Sequence, residues 1–169
     1  MRSTHDNQPS RVSMRAARLL MKVILMIKVL AASAAALLLT SFSALAAEHE
    51  VKMLNKGTEG MMVFEPSVVK VAPGDSVHFI ATDKSHNVES IEGMLPAGAT
   101  PFKGEMNQDL TVTFDQPGVY GIKCKPHYGM GMVGLVVVGE PTNKMDAAAV
   151  VQKGKAKQKF ENFFTQLGG

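Results

Sequence analysis

The chain has 169 residues, 46% of them hydrophobic, with 15 glycines, 12 methionines, one cysteine and no tryptophan, which allows one packed domain and a targeting segment. Its formal charge of +3 is unevenly divided: residues 1–46 hold Arg2, Arg11, Arg15, Arg18, Lys22 and Lys28 against Asp6 alone, net +5, whereas residues 47–169 hold 12 lysines, 14 acids and no arginine, net −2. The basicity belongs to the leading segment, so charge gives no argument for nucleic-acid binding, and one cysteine excludes an intramolecular disulfide.

The start reads as an export signal. Positive residues precede an apolar run at 29–39, followed by Thr40-Ser41-Phe42-Ser43 and the small-residue site Ala44-Leu45-Ala46. Cleavage after Ala46 leaves Ala47-Glu48-His49 as the new N-terminus. A membrane anchor is the competing reading, but only 19 residues, 29–47, lack charge and many are alanine or serine. No Arg-Arg pair supports a twin-arginine route. Met21 is an alternative start, because the chain from there already makes a complete signal.

Beyond the signal the pattern is of strands. Val51 and Met53 open an alternating run before a turn predicted at Asn55-Lys56-Gly57, and residues 61–64 make a second short run. Residues 68–71 and 77–80 flank Pro73-Gly74-Asp75, where proline presets φ and glycine accepts a positive one. Leu110, Val112 and Phe114 alternate with polar residues, the mark of a half-buried strand. After Pro117-Gly118, Tyr120, Ile122 and Cys124 share one strand face. Residues 132–138 close the set as a near-continuous apolar strand, while residues 91–102 read as loop. Short strands with Pro/Gly turns at this spacing predict a β-sandwich.

The pattern changes from about residue 142. Asn143 with Asp146 resembles a capping box ahead of residues 147–151, and Gly154 interrupts. Phe160, Phe163, Phe164 and Leu167 then form one apolar helical stripe, with Lys153, Lys155, Lys157 and Lys159 on the solvated side.

The chemistry is concentrated in Cys124-Lys125-Pro126-His127-Tyr128-Gly129-Met130-Gly131-Met132. A thiolate, an imidazole and a weak thioether suit a copper ion that must be held as both Cu(I) and Cu(II). Cys124 falls at the buried end of one strand and Met132 at the start of the next, so two strand ends hold the loop. The second imidazole is His86, in a loop 38 residues upstream, and a sandwich gathers its loops at two ends. Taken singly, Cys124 reads as an inert buried thiol, His127 as a surface histidine and Met132 as core; jointly, Cys-x2-His-x4-Met between strands with an upstream histidine is specific. His49 and His78 have no such setting and read as solvent-facing or locally bonded.

These residues carry a resemblance. The chain from Glu50-Val51-Lys52-Met53-Leu54-Asn55-Lys56-Gly57 through the Cys/His/Met loop to two terminal helices resembles the cupredoxins, and among them the pseudoazurins. Plastocyanins share the loop spacing but end with their last strand, so the helical extension favours the pseudoazurins. The resemblance implies a mainly β, Greek-key sandwich with two C-terminal helices, over residues 47–169. It implies one type 1 copper held by His86 Nδ1, Cys124 Sγ, His127 Nδ1 and the more distant Met132 Sδ. Asn87 then corresponds to an asparagine that bonds the ligand loops and the sulfur, and Met62 to a residue beside the second histidine, with a core methionine as the alternative. Pro126, Gly129 and Met130 correspond to an apolar docking patch, ringed by Lys56, Lys84, Lys103, Lys123 and Lys125, with Glu89 and Glu92 opposing the positive field.

The implied protein is a monomeric periplasmic one-electron carrier with no membrane insertion after cleavage, serving a dissimilatory nitrite reductase and fed by a cytochrome-type donor. Copper storage or delivery is a second reading, against which a lone cysteine in a tight loop argues, and a plastocyanin-type carrier is a third. An oxidoreductase built on this fold needs histidines flanking the cysteine to bridge a second copper centre; Lys123 and Lys125 occupy those flanks.

Overall fold

The computed structural model describes residues 20–22, 26 and 45–168. The chain divides into units Met1–Ala44 and Leu45–Gly169. The apolar run at 29–39 and residues 40–44 lie outside the described residues, as do all the charged residues of the leader except Lys22. Among the described residues no helix is long and apolar enough to cross a membrane.

The second unit holds eight strands: β1 (Glu48–Gly57), β2 (Gly60–Glu65), β3 (Val68–Val71), β4 (Ser76–Ile80), β5 (Glu89–Ser90), β6 (Leu110–Thr113), β7 (Gly118–Lys123) and β8 (Val133–Val138). Two helices follow, α1 (Lys144–Ala149) and α2 (Gly154–Gln166). The strands form two four-stranded sheets in the orders β2-β1-β4-β6 and β3-β8-β7-β5. β1 runs parallel to β4 and β3 parallel to β8, while the other neighbours are antiparallel.

Strand parity explains where the core lies. Val51, Met53, Phe64, Val77 and Phe79 of one sheet face Val69, Val71, Tyr120, Ile122, Val136 and Val138 of the other. β8 reads as unbroken apolar sequence because both its faces are covered. Val136 and Val138 point into the sandwich, while Val133, Leu135 and Val137 meet Ala147, Ala156, Phe160 and Phe163 of the helices. The helical stripe thus has a partner: the outer face of the second sheet.

Two local expectations are corrected. Asn55-Lys56-Gly57 is not a turn; β1 continues through it, pairing Lys56 with Met61 and Gly57 with Gly60, so the hairpin turns at Thr58-Glu59. Asn143 is the N-cap residue of α1 but makes no side-chain capping bond. Its Oδ1 instead accepts from Val119 N (2.6 Å) and its Nδ2 donates to Val119 O (3.0 Å), which satisfies backbone groups of β7 and ties the helices to it. The loop reading of 91–102 holds, with β5 as a two-residue strand just before it.

The Pro73-Gly74-Asp75 turn does more than reverse the chain. Gly74 has φ 92. The Asp75 carboxylate accepts from Ala47 N (2.8 Å), Ala72 N (2.8 Å) and His49 Nε2 (3.0 Å), closing the start of β1 onto β4. The backbone donors Ala47 and Ala72, then His49, lower its pKa to about 2.

Candidate metal centre

Two loops carry the four predicted ligands at one end of the sandwich. Cys124 directly follows β7, has no exposed surface and continues the core-facing parity of Tyr120 and Ile122. His127 precedes a 3-10 turn, Tyr128–Met130, whose end is closed by Gly131 at φ 89. Met132, fully buried, stands immediately before β8. His86, also fully buried, comes from the loop after β4.

Backbone bonds fix the nine-residue loop. Cys124 N donates to Met132 O (3.0 Å), while Met130 N and Met132 N both donate to His127 O (3.0 and 3.2 Å). The His86 loop is pinned from both sides. Asp83 N donates to Met53 O (3.1 Å), Asn107 N donates to His86 O (2.8 Å), and Asn55 N donates to Asp83 Oδ2 (2.7 Å). Ser85, just before the histidine, takes a left-handed φ of 72 and gives its N–H to Asn107 Oδ1. Such a conformation persists only where its surroundings determine it.

Three donor atoms converge. Cys124 Sγ lies 3.7 Å from His86 Nδ1 and 3.6 Å from His127 Nδ1, and the two nitrogens are 3.1 Å apart. The circumradius of that triangle is about 2.0 Å, so a point equidistant from all three atoms sits at the length of a metal–imidazole bond. His86, Cys124 and His127 make a metal-ligating cluster. A borderline-soft ion suits one thiolate and two imidazoles, and the buried Met132, tied by backbone bonds to Cys124 and His127, adds a thioether-bearing residue beside them, which favours copper among such ions.

Proton positions agree with ligation. His86 Nε2 is 3.0 Å from Asn55 Oδ1, an acceptor, so Nε2 carries the proton and Nδ1 offers a lone pair towards the cluster. Burial, then the His127 charge, pushes the His86 pKa down and keeps the ring neutral, with Asp83 opposing. Burial pushes the Cys124 thiol up, while the backbone N–H groups of Asn87 and His127 pull it back by donating to the sulfur. A ligating thiolate in this pocket therefore keeps hydrogen-bond donors that drain charge from it.

The expectation for Asn87 has a visible basis. Its Oδ1 accepts from Lys125 N (2.9 Å) and its Nδ2 donates to Gly104 O (3.3 Å), so one buried side chain joins the His86 loop to the Cys124 loop. Asn55 was missed by sequence reasoning, because it was assigned to a turn. The available signal was an amide side chain in the strand beside the His86 loop.

The other candidates divide. Pro126, Gly129 and Met130 are exposed around the half-buried His127. Met62 takes a left-handed φ of 53 in β2 and packs, half-buried, against the main core. Lys56, Lys84, Lys103 and Lys125 are exposed. Lys123 differs: its Nζ is 3.7 Å from Glu89 Oε1 and 5.8 Å from the centroid of the Tyr128 ring, so its charge is partly spent within the fold. His49 and His78 stand apart from the cluster, beside Asp75 and Asp109 respectively.

Comparison with known proteins agrees with this chemistry. The family model for copper binding proteins, plastocyanin/azurin family, matches residues 51–139. The chain is 50% identical over 139 residues to the pseudoazurin of Paracoccus pantotrophus, a match covering 82% of this chain and 96% of that one. It is 51% identical over 138 residues to the pseudoazurin of Methylorubrum extorquens, covering 81% and 93%. The chain belongs to the pseudoazurin family. A crystal structure of pseudoazurin from Methylobacterium extorquens AM1 superposes with a TM-score of 0.69 at 50% identity, over 71% of this chain and 98% of that one. The mainly β sandwich with C-terminal helices is therefore the family's fold, and the protein is a copper electron carrier, not an enzyme.

When bound, copper supplies a one-electron Cu(II)/Cu(I) couple. The chain supplies a pre-shaped donor set, buried at His86 and Cys124 and reaching the surface at His127. Rigid backbone bonds keep these donors in place through a change of charge, which keeps reorganisation small.

Proposed function

We propose that the protein is exported to the periplasm, where it carries single electrons from a cytochrome-type donor to a dissimilatory nitrite reductase. The carrying observation is the three-donor cluster, sealed on all sides except at His127, with exposed Pro126, Gly129 and Met130 around that opening. His86, Cys124, His127 and Met132 are the proposed ligands. Asn87 and Met62 support them, Asn87 by joining two ligand loops and Met62 by packing against the core that holds Cys124 and Met132.

Electrons leave and enter through the His127 edge. The patch of Pro126, Gly129 and Met130 excludes water from the encounter. Lys56, Lys84, Lys103 and Lys125 steer an acidic partner, with a weaker share from Lys123. Local field of this kind governs encounter despite the net −2 of residues 47–169. The leading segment supports the location, since it has the charge and apolar pattern of a signal cleaved after Ala46.

Two experiments test the reading. Cu(II) added to the exported protein produces intense thiolate-to-copper bands, bleached by ascorbate and lost in Cys124→Ala; a colourless solution refutes the carrier. Mixing the reduced protein with a copper nitrite reductase gives fast oxidation that slows with ionic strength and slows further in Lys84→Glu and Lys125→Glu. Rates indifferent to salt and to both variants refute the lysine-steered acceptor.

A further inference from the structure

Gln152 lies in the short connection between α1 and α2, yet it is only 9% exposed, and both ends of its amide are used. Its Oε1 accepts from Tyr128 Oη (2.6 Å) and its Nε2 points at Met94 Sδ (3.2 Å). Each partner leads to the metal centre by a different route. Tyr128 follows His127 and opens the 3-10 turn, and its carbonyl accepts from Gly131 N (2.9 Å), one residue before Met132. Met94, fully buried, clamps β7 three residues before Cys124: Gly121 N donates to Met94 O (2.9 Å), and Ile91 N donates to Gly121 O (2.8 Å). A Cβ on Gly121 would meet Met94 Sδ at 2.7 Å, so the two pack with no room to spare.

The helical extension also touches the loop directly. A Cβ on Gly131 would lie 3.1 Å from Lys155 Cβ, in the first turn of α2. Lys123 lies over the Tyr128 ring. The loop bearing His127 and Met132 is therefore held on its outer side by residues of the extension, and among the described residues Gln152 is the one polar side chain bonding both the loop and the β7 clamp.

We propose that Gln152 is a positioning residue for the copper site, acting through Tyr128, and that the helical extension is part of the frame that keeps His127 and Met132 in place. The proposal rests on the reading of these two residues as ligands. A buried amide with both ends engaged does not swing, so the hydroxyl bonded to it fixes the Tyr128 ring and the turn behind it. Bonds made directly to ligands change metal affinity by about 10- to 100-fold when removed, and this link, one residue from His127, falls at the lower end.

The test uses Gln152→Leu, which deletes both bonds at similar volume, Tyr128→Phe, which deletes one hydroxyl, Gln152→Glu, which keeps an acceptor for that hydroxyl, and the Gln152→Leu/Tyr128→Phe pair. Three quantities are read: Cu(II) affinity by chelator competition, the copper hyperfine splitting in EPR, and hydrogen exchange of the Met130, Gly131 and Met132 amides in the metal-free protein. The expected result is about tenfold weaker Cu(II) binding, a changed splitting and faster exchange in Tyr128→Phe and Gln152→Leu. The pair should lose no more than Gln152→Leu alone, because the Tyr128 link is already broken in that variant, and Gln152→Glu, which keeps that link, should recover most of the loss. Lower thermal stability with unchanged affinity, splitting and exchange overturns the proposal, as does an additive pair. Should Gln152→Leu fail to fold, Tyr128→Phe decides alone. Absence of a thiolate-to-copper band in the unaltered protein overturns the ligand reading instead, and the exchange data then judge the brace by themselves.

Discussion

Replacing Asn55 with alanine removes the only side-chain acceptor on His86 Nε2 among the described residues. The ring has no exposed surface, so a stranded N–H there costs about 1–3 kcal/mol. Asn55 is itself exposed, and the space left by its amide admits water, which places the cost near the lower limit, about 1 kcal/mol. The strand is not disturbed, because Asn55 N still donates to Asp83 Oδ2. The larger consequence is for the metal. Without its acceptor, Nε2 no longer outcompetes Nδ1 for the proton, and a proton on Nδ1 blocks the lone pair facing Cys124. Cu(II) affinity should fall by about 10- to 100-fold. Competition with a chelator, followed through the thiolate-to-copper absorption, measures that loss, and thermal unfolding of the metal-free protein measures the structural part separately. Asn55→Asp, which keeps an acceptor, should retain most of the affinity. Unchanged affinity in Asn55→Ala would refute the tautomer argument.

Asp75 gives a pH prediction with a definite sign. Its folded pKa of about 2 lies below the ordinary 3.8, so its contribution is present above pH 4 and is lost as pH falls through 2; Asp75→Asn should remove that part of the acid-unfolding curve, most clearly in protein processed after Ala46, where the Ala47 nitrogen on this carboxylate becomes an ammonium. Leu135→Ala, at a fully buried site between β8 and the helices, should cost about 2–5 kcal/mol in denaturant unfolding while leaving the copper absorption in place. Gly134→Ala sets a Cβ 2.5 Å from the Ser67 carbonyl oxygen, a backbone atom that cannot swing away, and should cost about 1–3 kcal/mol by the same measurement. Met132→Gln replaces the proposed thioether donor with an amide oxygen, so the site should stay coloured while its reduction potential, read by voltammetry, moves downward.

The sandwich was legible because its strands alternate: parity alone placed Tyr120, Ile122 and Cys124 on the core side, where all three lie buried. The metal loop was legible because a cysteine, a histidine and a methionine closely spaced between strands leave few chemical alternatives, and the first two meet His86 within 3.7 Å. What the sequence hid was of a different kind. Asn55 and Asn143 both carry residue types that favour turns and caps, and local pattern assigned them there. Their side chains are spent instead on partners 31 and 24 residues away, on His86 and on the backbone of Val119. An amide that satisfies a distant buried group is indistinguishable, from sequence, from one that caps its own turn.

The same reasoning bears on the helices. Their apolar stripe was visible, but not that it covers the far face of β8, nor that the connection between them sends a buried amide to the metal loop. Amphipathic pattern reports only that a face must be buried, because the hydrophobic effect has no direction. Hydrogen bonds do have direction: Asn55 joins the His86 loop to β1, Asn87 joins it to the Cys124 loop, and Gln152 joins that second loop to the connection between the helices. The apolar core therefore accounts for the fold's stability, while these few polar contacts account for how closely the donor atoms are held. Substitutions of the first class should move unfolding more than copper chemistry, and those of the second the reverse.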